Sequence, residues 1–301
     1  MLNPTETTQG SHPKTHDLSG HIAQLWIYPI KSCGGIRVPQ ALLTPTGLAH
    51  DREWMVVDLE GEFLSQRELP HMALIQPELV SDSVQTNTPE LQLRLTHPRL
   101  PSLQVRSPAS VLLTKVRVWD DIVWAHDQGD EAAEWLSQAL GQPVRLVRQS
   151  PKAQRQVHDR WSTGANVGAA FADAYPLLVT TLQTQHTLQA ALQDASLTTS
   201  LQRFRANIVL DGLEAHEEDY VSRLELDGPI NIQLAKPCVR CSIPNIDPQT
   251  AMVDSRISQA LSTYRQDTRM AGAITFGMNA YIQTGLGLCI REGQAFGAFM
   301  A

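Results

Sequence analysis

Almost every apolar run in this chain is short and stops at a turn, which restricts it to strands of modest length joined by tight connections. Residues 21–28 alternate apolar and polar side chains and then meet Pro29. Residues 54–58 form a continuous apolar run, followed by a Glu60-Gly61 turn and Glu62-Phe63-Leu64, a hairpin signal. Asp227-Gly228-Pro229 separates two further runs, 224–226 and 230–234. Strands are also predicted at 111–113, at 116–119 (closing on Asp120-Asp121), and at 176–180, 204–210, 280–282 and 286–291. Helical spacing of Ala132, Ala133, Leu136, Ala139 and Leu140 predicts a helix over 130–140, stopped by Gly141-Gln142-Pro143; two more are predicted over 182–192 and 255–264. The pattern has no repeat and no heptad seam. It is α+β and strand-rich, a β-barrel with peripheral helices.

The 301 residues have room for two modest domains. A polar stretch rich in Gly and Ala over 150–170 places the boundary, giving a tail over 1–18, a first domain over 19–150 and a second over 151–301. The tail contains Pro4, Gly10 and Pro13 and no apolar core, so it reads as neither signal peptide nor anchor. The longest apolar runs, such as 175–179, are too short for a membrane span. Without an export signal the expected location is cytoplasmic, where Cys33, Cys238, Cys241 and Cys289 stay reduced. The 24 basic and 31 acidic residues leave a net charge of -7, which argues against nucleic acid or an anionic membrane as the main partner. Any cationic binding site must therefore be local.

Lys236-Pro237-Cys238-Val239-Arg240-Cys241 is the densest piece of chemistry. A Cys-x-x-Cys can be half of a zinc site, a redox dithiol, the source of one thiolate for a heavier metal, or two buried small side chains. A zinc site lacks a second close pair here, and Pro244 and Pro248 leave no room for the helix that a thioredoxin-like turn requires. Lys236 and Arg240 favour a thiolate over an inert thiol. Upstream, Lys31-Ser32-Cys33-Gly34-Gly35 follows a strand and could offer an ammonium, a hydroxyl and backbone N–H groups to an anion, without the spacing of a nucleotide loop. Arg52 precedes a strand, Arg67 follows one, and Arg203, Arg205 and Asn207 open another.

Together these segments resemble the MOSC family, in particular the branch holding the mitochondrial amidoxime-reducing component and its bacterial relatives. The resemblance is carried by Tyr28-Pro29-Ile30-Lys31-Ser32, Asp51-Arg52, Phe204-Arg205-Ala206-Asn207-Ile208-Val209, Cys238-Val239-Arg240-Cys241, Asp247-Pro248 and Phe276-Gly277-Met278-Asn279, in family order across residues 21–295. It implies an N-terminal MOSC β-barrel domain followed by a MOSC domain, and a molybdenum–molybdopterin cofactor without an attached nucleotide. It implies Cys241 as the protein's ligand to molybdenum, Lys31, Ser32 and Arg52 on the pterin phosphate and ring, and Arg205 and Asn207 on the pterin from the second domain. Val239, Arg240, Asp173, Ala174, Tyr175 and Asn279 fall at positions beside the cofactor, with Asp173 a candidate for proton delivery. Ala174 and Tyr175 stand where the family has hydroxyl-bearing residues, Val239 where Ser is frequent, and Asn279 where the mitochondrial relatives carry Tyr.

The implied activity is reduction of N-hydroxylated compounds (amidoximes, hydroxylamines, N-oxides), with oxygen removed at molybdenum and released as water. Electrons would come from an external electron-transfer protein or reductase, since four cysteines at this spacing cannot hold a plant-type iron–sulfur cluster. The pterin phosphate carries about −1.5 to −2 charges, so the local basic clusters would offset the cost of burying it. A cofactor carrier or sulfur-transfer protein is the competing expectation, and a zinc-binding module without catalysis a third.

Overall fold

The computed structural model describes residues 16–81, 91–105, 112–150, 155–157, 160–162, 165–192, 194, 197 and 199–301. The expected tail falls mostly on residues 1–15, outside the described residues, as does Val111 of an expected strand; Leu18 already opens a strand. The architecture is α+β.

Its centre is a closed barrel of seven strands: β1 (Leu18–Ile27), β2 (Leu177–Thr181), β3 (Ile208–Asp211), β4 (Val221–Leu226), β5 (Ile230–Val239), β6 (Ala273–Thr284) and β7 (Ala295–Met300). Around the barrel the order is β2-β3-β1-β7-β4-β5-β6, and β6 returns to β2. Only β2 and β3 run parallel; the helix Leu182–Leu192 supplies part of the crossover that a parallel pair requires. Closure removes the unpaired edges that an open sheet would expose. Ile22, Leu25, Val179, Leu210, Leu224, Ile232, Met278 and Phe296 belong to the core that the barrel strands share.

Two further cores position the rest. Phe204, Val209, Phe276, Leu188, Ile257 and Leu261 join the barrel strands to the helices Leu182–Leu192 and Arg256–Ser262. In the first half, Trp54, Val56, Met72, Leu93, Leu95 and Leu146 pack in one core with Leu136 of the helix Asp130–Leu140. That helix starts with Asp130 and Glu131, which complement its dipole, and ends on Gly141 at φ 74, the left-handed stop that glycine adopts without strain. Among the described residues of the expected 150–170 loop, Arg155–Gln156 pairs with Gly168–Ala169.

Several expectations change, and the strands expected at 111–113 and 116–119 are one strand, Leu113–Val118. The strand expected over 204–210 forms only at Ile208–Asp211, because Arg205 turns into the left-handed region at φ 57. The 286–291 strand shrinks to Cys289–Arg291 behind Gly285 and Gly287, both at positive φ. The three-residue run at 280–282 is the visible part of the twelve-residue β6, and β7 closes the barrel where no strand was expected.

Gly277 explains one motif directly. It sits at φ 70 where a Cβ would lie 2.7 Å from the Val179 carbonyl oxygen, next to the register in which Met278 faces Val179 and Asn279 faces Leu178. We expect Gly277→Ala to lower unfolding stability by about 2 kcal/mol or more, through strain and the lost β2–β6 approach. Denaturant titration at unchanged m-value checks this; a loss under about 0.5 kcal/mol would contradict it.

Candidate functional site

Two segments of the first half are stitched together by their backbones. Lys31 N donates to Trp54 O at 2.8 Å, Arg52 N to Tyr28 O at 2.8 Å and Trp54 N to Pro29 O at 3.0 Å. Ser32 (φ 65), His50 (φ 66) and Arg52 (φ 50) lie in the left-handed region, which costs on the order of 1 kcal/mol each and persists only where other bonds over-determine it. Here those bonds come mainly from Arg52 and its neighbours. Its guanidinium pairs with buried Asp51, donates from Nη1 to Asn207 Oδ1 at 3.0 Å and from Nη2 to Arg205 O at 3.0 Å. Asp51 Oδ1 in turn accepts from Tyr28 N at 2.7 Å.

Asn207 is bonded on several sides. Its Nδ2 donates to Trp26 O at 3.1 Å, its Oδ1 also accepts from Leu178 N at 3.1 Å, and its own N donates to Leu178 O at 2.9 Å. Arg205 reaches the other way, donating to the carbonyls of Cys33 and Ile30. The guanidinium carbons of Arg52 and Arg205 lie 4.7 Å and 4.3 Å from the centroid of the Tyr28 ring. Burial, reinforced by Arg52, pushes the Arg205 guanidinium down to about 10, so it stays cationic at neutral pH.

The second wall is the segment 171–175. Arg155 holds it through the carbonyls of Ala170 and Ala172, at 3.0 and 2.8 Å. Buried Lys31 donates from Nζ to Phe171 O at 2.8 Å and pairs with Asp173. Burial alone would raise the Asp173 carboxyl, but the charge and hydrogen bond of Lys31, with the Trp119 N–H and Arg67, hold it well below the usual carboxylate range. Burial lowers the Lys31 ammonium from its ordinary value, partly offset by Asp173.

The third wall is the end of β5 and the turn beyond it. The pairing of β5 with β6 slips between Leu234 and Lys236 and again between Pro237 and Val239, breaking the strand's regular alternation at the cysteine motif. Arg240 donates to Phe204 O at 3.1 Å and to Cys238 Sγ at 3.1 Å, while its Nε is buried without a hydrogen-bond partner. The cation that the sequence places between the two cysteines thus addresses Cys238. Cys238 is half-buried, whereas Cys241 is a free, exposed thiol. Buried Arg203 pairs with Asp247 and donates to Pro244 O, fastening the chain that follows Cys241; this accounts for the Asp247-Pro248 signature.

These walls enclose a cavity of about 230 Å³. All twelve residues that the resemblance places at the cofactor line it: Lys31, Ser32, Arg52, Asp173, Ala174, Tyr175, Arg205, Asn207, Val239, Arg240, Cys241 and Asn279; Cys33, Arg67 and Arg203 do not. Its lining carries five cationic side chains (Lys31, Arg52, Arg205, Lys236 and Arg240) against one carboxylate, Asp173. Sequence reasoning missed Phe171, Ala172, Ile243 and Met270, which also line it and belong to no motif. Among the described residues no group of three or more His, Cys, Asp or Glu side chains could hold a metal ion. A metal bound at Cys241 would have to bring most of its ligands with it, and an organic anion that did so would meet the cationic lining and the unpaired Arg240 Nε.

Asn207→Ala removes the acceptor of Arg52 and two backbone partners; we expect a loss of about 3 kcal/mol in denaturant unfolding. A variant as stable as wild type would show that the network is dispensable. Thiol alkylation of the folded protein should mark Cys241 and Cys289, both exposed, while Cys33, which burial pushes up to about 12, reacts only after unfolding. Peptide mass mapping reads this, and early labelling of Cys33 would contradict it.

Residues 19–143 match the MOSC N-terminal beta barrel domain and residues 166–296 match the MOSC domain. The chain is 32% identical over 256 residues to mitochondrial amidoxime-reducing component 1 of Mus musculus and 30% identical over 257 residues to its Homo sapiens counterpart, each alignment covering 82% of this chain and 72% of the relative. It is also 31% identical over 288 residues to the molybdenum cofactor sulfurase of Danio rerio, covering 91% of this chain but only 33% of that protein. The chain therefore spans about a third of the sulfurase it matches. Among the described residues no helix is long and apolar enough to cross a membrane.

Proposed function

Since this chain belongs to the MOSC family, we propose that it is a molybdenum cofactor-dependent reductase of N-hydroxylated compounds, supplied with electrons by an external redox partner. The observation that carries the reading is the cavity, in which an exposed thiol, Cys241, faces a cationic lining with no cluster of His, Cys, Asp or Glu among the described residues to complete a metal's shell. That donor set fits a pterin that brings its own two sulfurs and a phosphate. When bound, the cofactor would supply two-electron chemistry to an N–O bond, with Cys241 as the protein's thiolate to molybdenum.

Lys31, Ser32 and Arg52 would take the phosphate and ring, with Arg205 and Arg240 adding charge-assisted hydrogen bonds. Asn207, committed to Arg52 and two backbones, acts as a positioning residue. Ala174, Tyr175, Val239 and Asn279 shape the remaining wall, and Asp173 pairs with Lys31. In that pair the proton sits on Lys31 Nζ, because the carboxyl is held ionised, and burial makes this ammonium a better acid than an exposed lysine. Overall, the substrate's N–O bond breaks, two electrons and two protons are taken up, and an N–H product and water leave.

A second reading, a cofactor carrier or sulfur-transfer protein, draws on the match to the Danio rerio molybdenum cofactor sulfurase across 91% of the chain. Protein purified from a host that makes the cofactor should contain about one molybdenum per chain. Cys241→Ser should lose the metal at least about tenfold and Cys238→Ser should largely keep it. With reduced methyl viologen as donor, the molybdenum-loaded protein should convert benzamidoxime to benzamidine. Molybdenum without turnover would favour the carrier reading, and zinc alone would overturn both.

A further inference from the structure

The hairpin of strands Leu113–Val118 and Asp121–Asp127 turns through Trp119 and Asp120, with Val118 facing Asp121. Trp119 sits at φ 56 and remains 41% exposed. A bulky residue in the left-handed region is strained, and an apolar ring left in water gains no burial energy. A solitary exposed tryptophan would need no explanation, but this one is fastened in place. Its Nε1 donates to Asp173 Oδ1 at 3.2 Å, the one carboxylate that lines the cavity. The Arg67 guanidinium lies 4.8 Å from its ring centroid, and the Phe63 ring packs against it at 4.9 Å. Lys31, the partner of Asp173, lies 5.2 Å from the Phe63 ring. A strained aromatic ring, held in one orientation and wired to the cavity lining, is the form a recognition surface takes when its ordering cost is met before the ligand arrives.

We propose that Trp119, held by Arg67 and Phe63 outside the cavity lining and joined to it through Asp173, is a specificity-determining platform beside this site and selects flat, conjugated N-hydroxylated substrates such as aryl amidoximes over small aliphatic ones. The inference rests on the reductase reading for the nature of the reacting group. The aryl ring of the substrate lies against the indole, which leaves its N–OH group beside Asp173 and the cavity. Arg67, which neither lines the cavity nor enters the cofactor cradle, orients the indole and draws electron density toward the face it covers. Ring-on-ring contacts of this kind change affinity by about three- to tenfold.

The test uses two uncharged ligands with the same reacting group, benzamidoxime and acetamidoxime, titrated calorimetrically into the full-length protein as isolated. Wild type should bind benzamidoxime several-fold more tightly. Trp119→Ala should bring the ratio of the two affinities close to one, Trp119→Phe should retain most of it, and Arg67→Met should reduce it in part. Because the ratio is read within each variant, a general loss of folding, which would weaken both ligands equally, does not imitate the result. A ratio unchanged in Trp119→Ala, equal weakening of both ligands, or no preference in wild type would overturn the proposal. Turnover is scored separately: a preference that depends on Trp119 in a protein that reduces neither ligand would sink the reductase reading while leaving the recognition surface standing.

Discussion

The contact on which the site depends is the hydrogen bond from Arg52 to Asn207, with the bonds that surround it. Arg52 stands at the end of a stitched loop in the first half, and Asn207 sits just ahead of β3 in the barrel. One guanidinium joins a buried carboxylate on its own segment to an amide oxygen and the carbonyl of a left-handed residue on the other, so the two segments cannot be placed separately. Buried polar networks of this sort are costly when incomplete and rigid when complete. Here the rigidity is spent on geometry: Arg205 is thrown back toward Cys33 and Ile30, and a row of cations is fixed around one opening.

The same network explains how a chain of net charge -7 contains a strongly cationic hollow. Cations placed close together repel, yet Arg52 and Arg205 share the face of Tyr28 and Arg205 is only lowered to about 10. Asp51 and a set of backbone carbonyls hold them. The two cysteines of the motif are likewise separated by environment. Cys238 accepts from Arg240 and packs against the neighbouring core, whereas Cys241 is left open.

Elements whose signals are local are legible in the sequence. The helix Asp130–Leu140 is bounded by acidic residues and a glycine, and the turn at Asp227-Gly228-Pro229 is set by its own three residues. Elements decided by distant partners are not. Residues 204–207 have the composition of a strand, but Arg52, far away in sequence, makes Arg205 turn. β7 contains Ala295, Gly297 and Ala298, weak strand formers that are strand because β1 and β4 flank them. In the site, the residues that the resemblance places at the cofactor all reach the cavity, while Phe171, Ala172, Ile243 and Met270 enter only through packing. The direction in which Arg240 points, toward Cys238, also depends on Phe204 and could not be read from spacing.

β1 and β7 lie side by side, Leu18 facing Ala298 and His21 facing Ala295, although nearly the whole chain separates them. A ribosome makes β1 long before β7, so the barrel has a gap between β1 and β4 until β7 emerges. Pairings of such long sequence separation form late and slowly. Through that interval the apolar faces of β1 and β4 await their neighbour, and the nascent protein depends on whatever shields those edges until the last strand arrives.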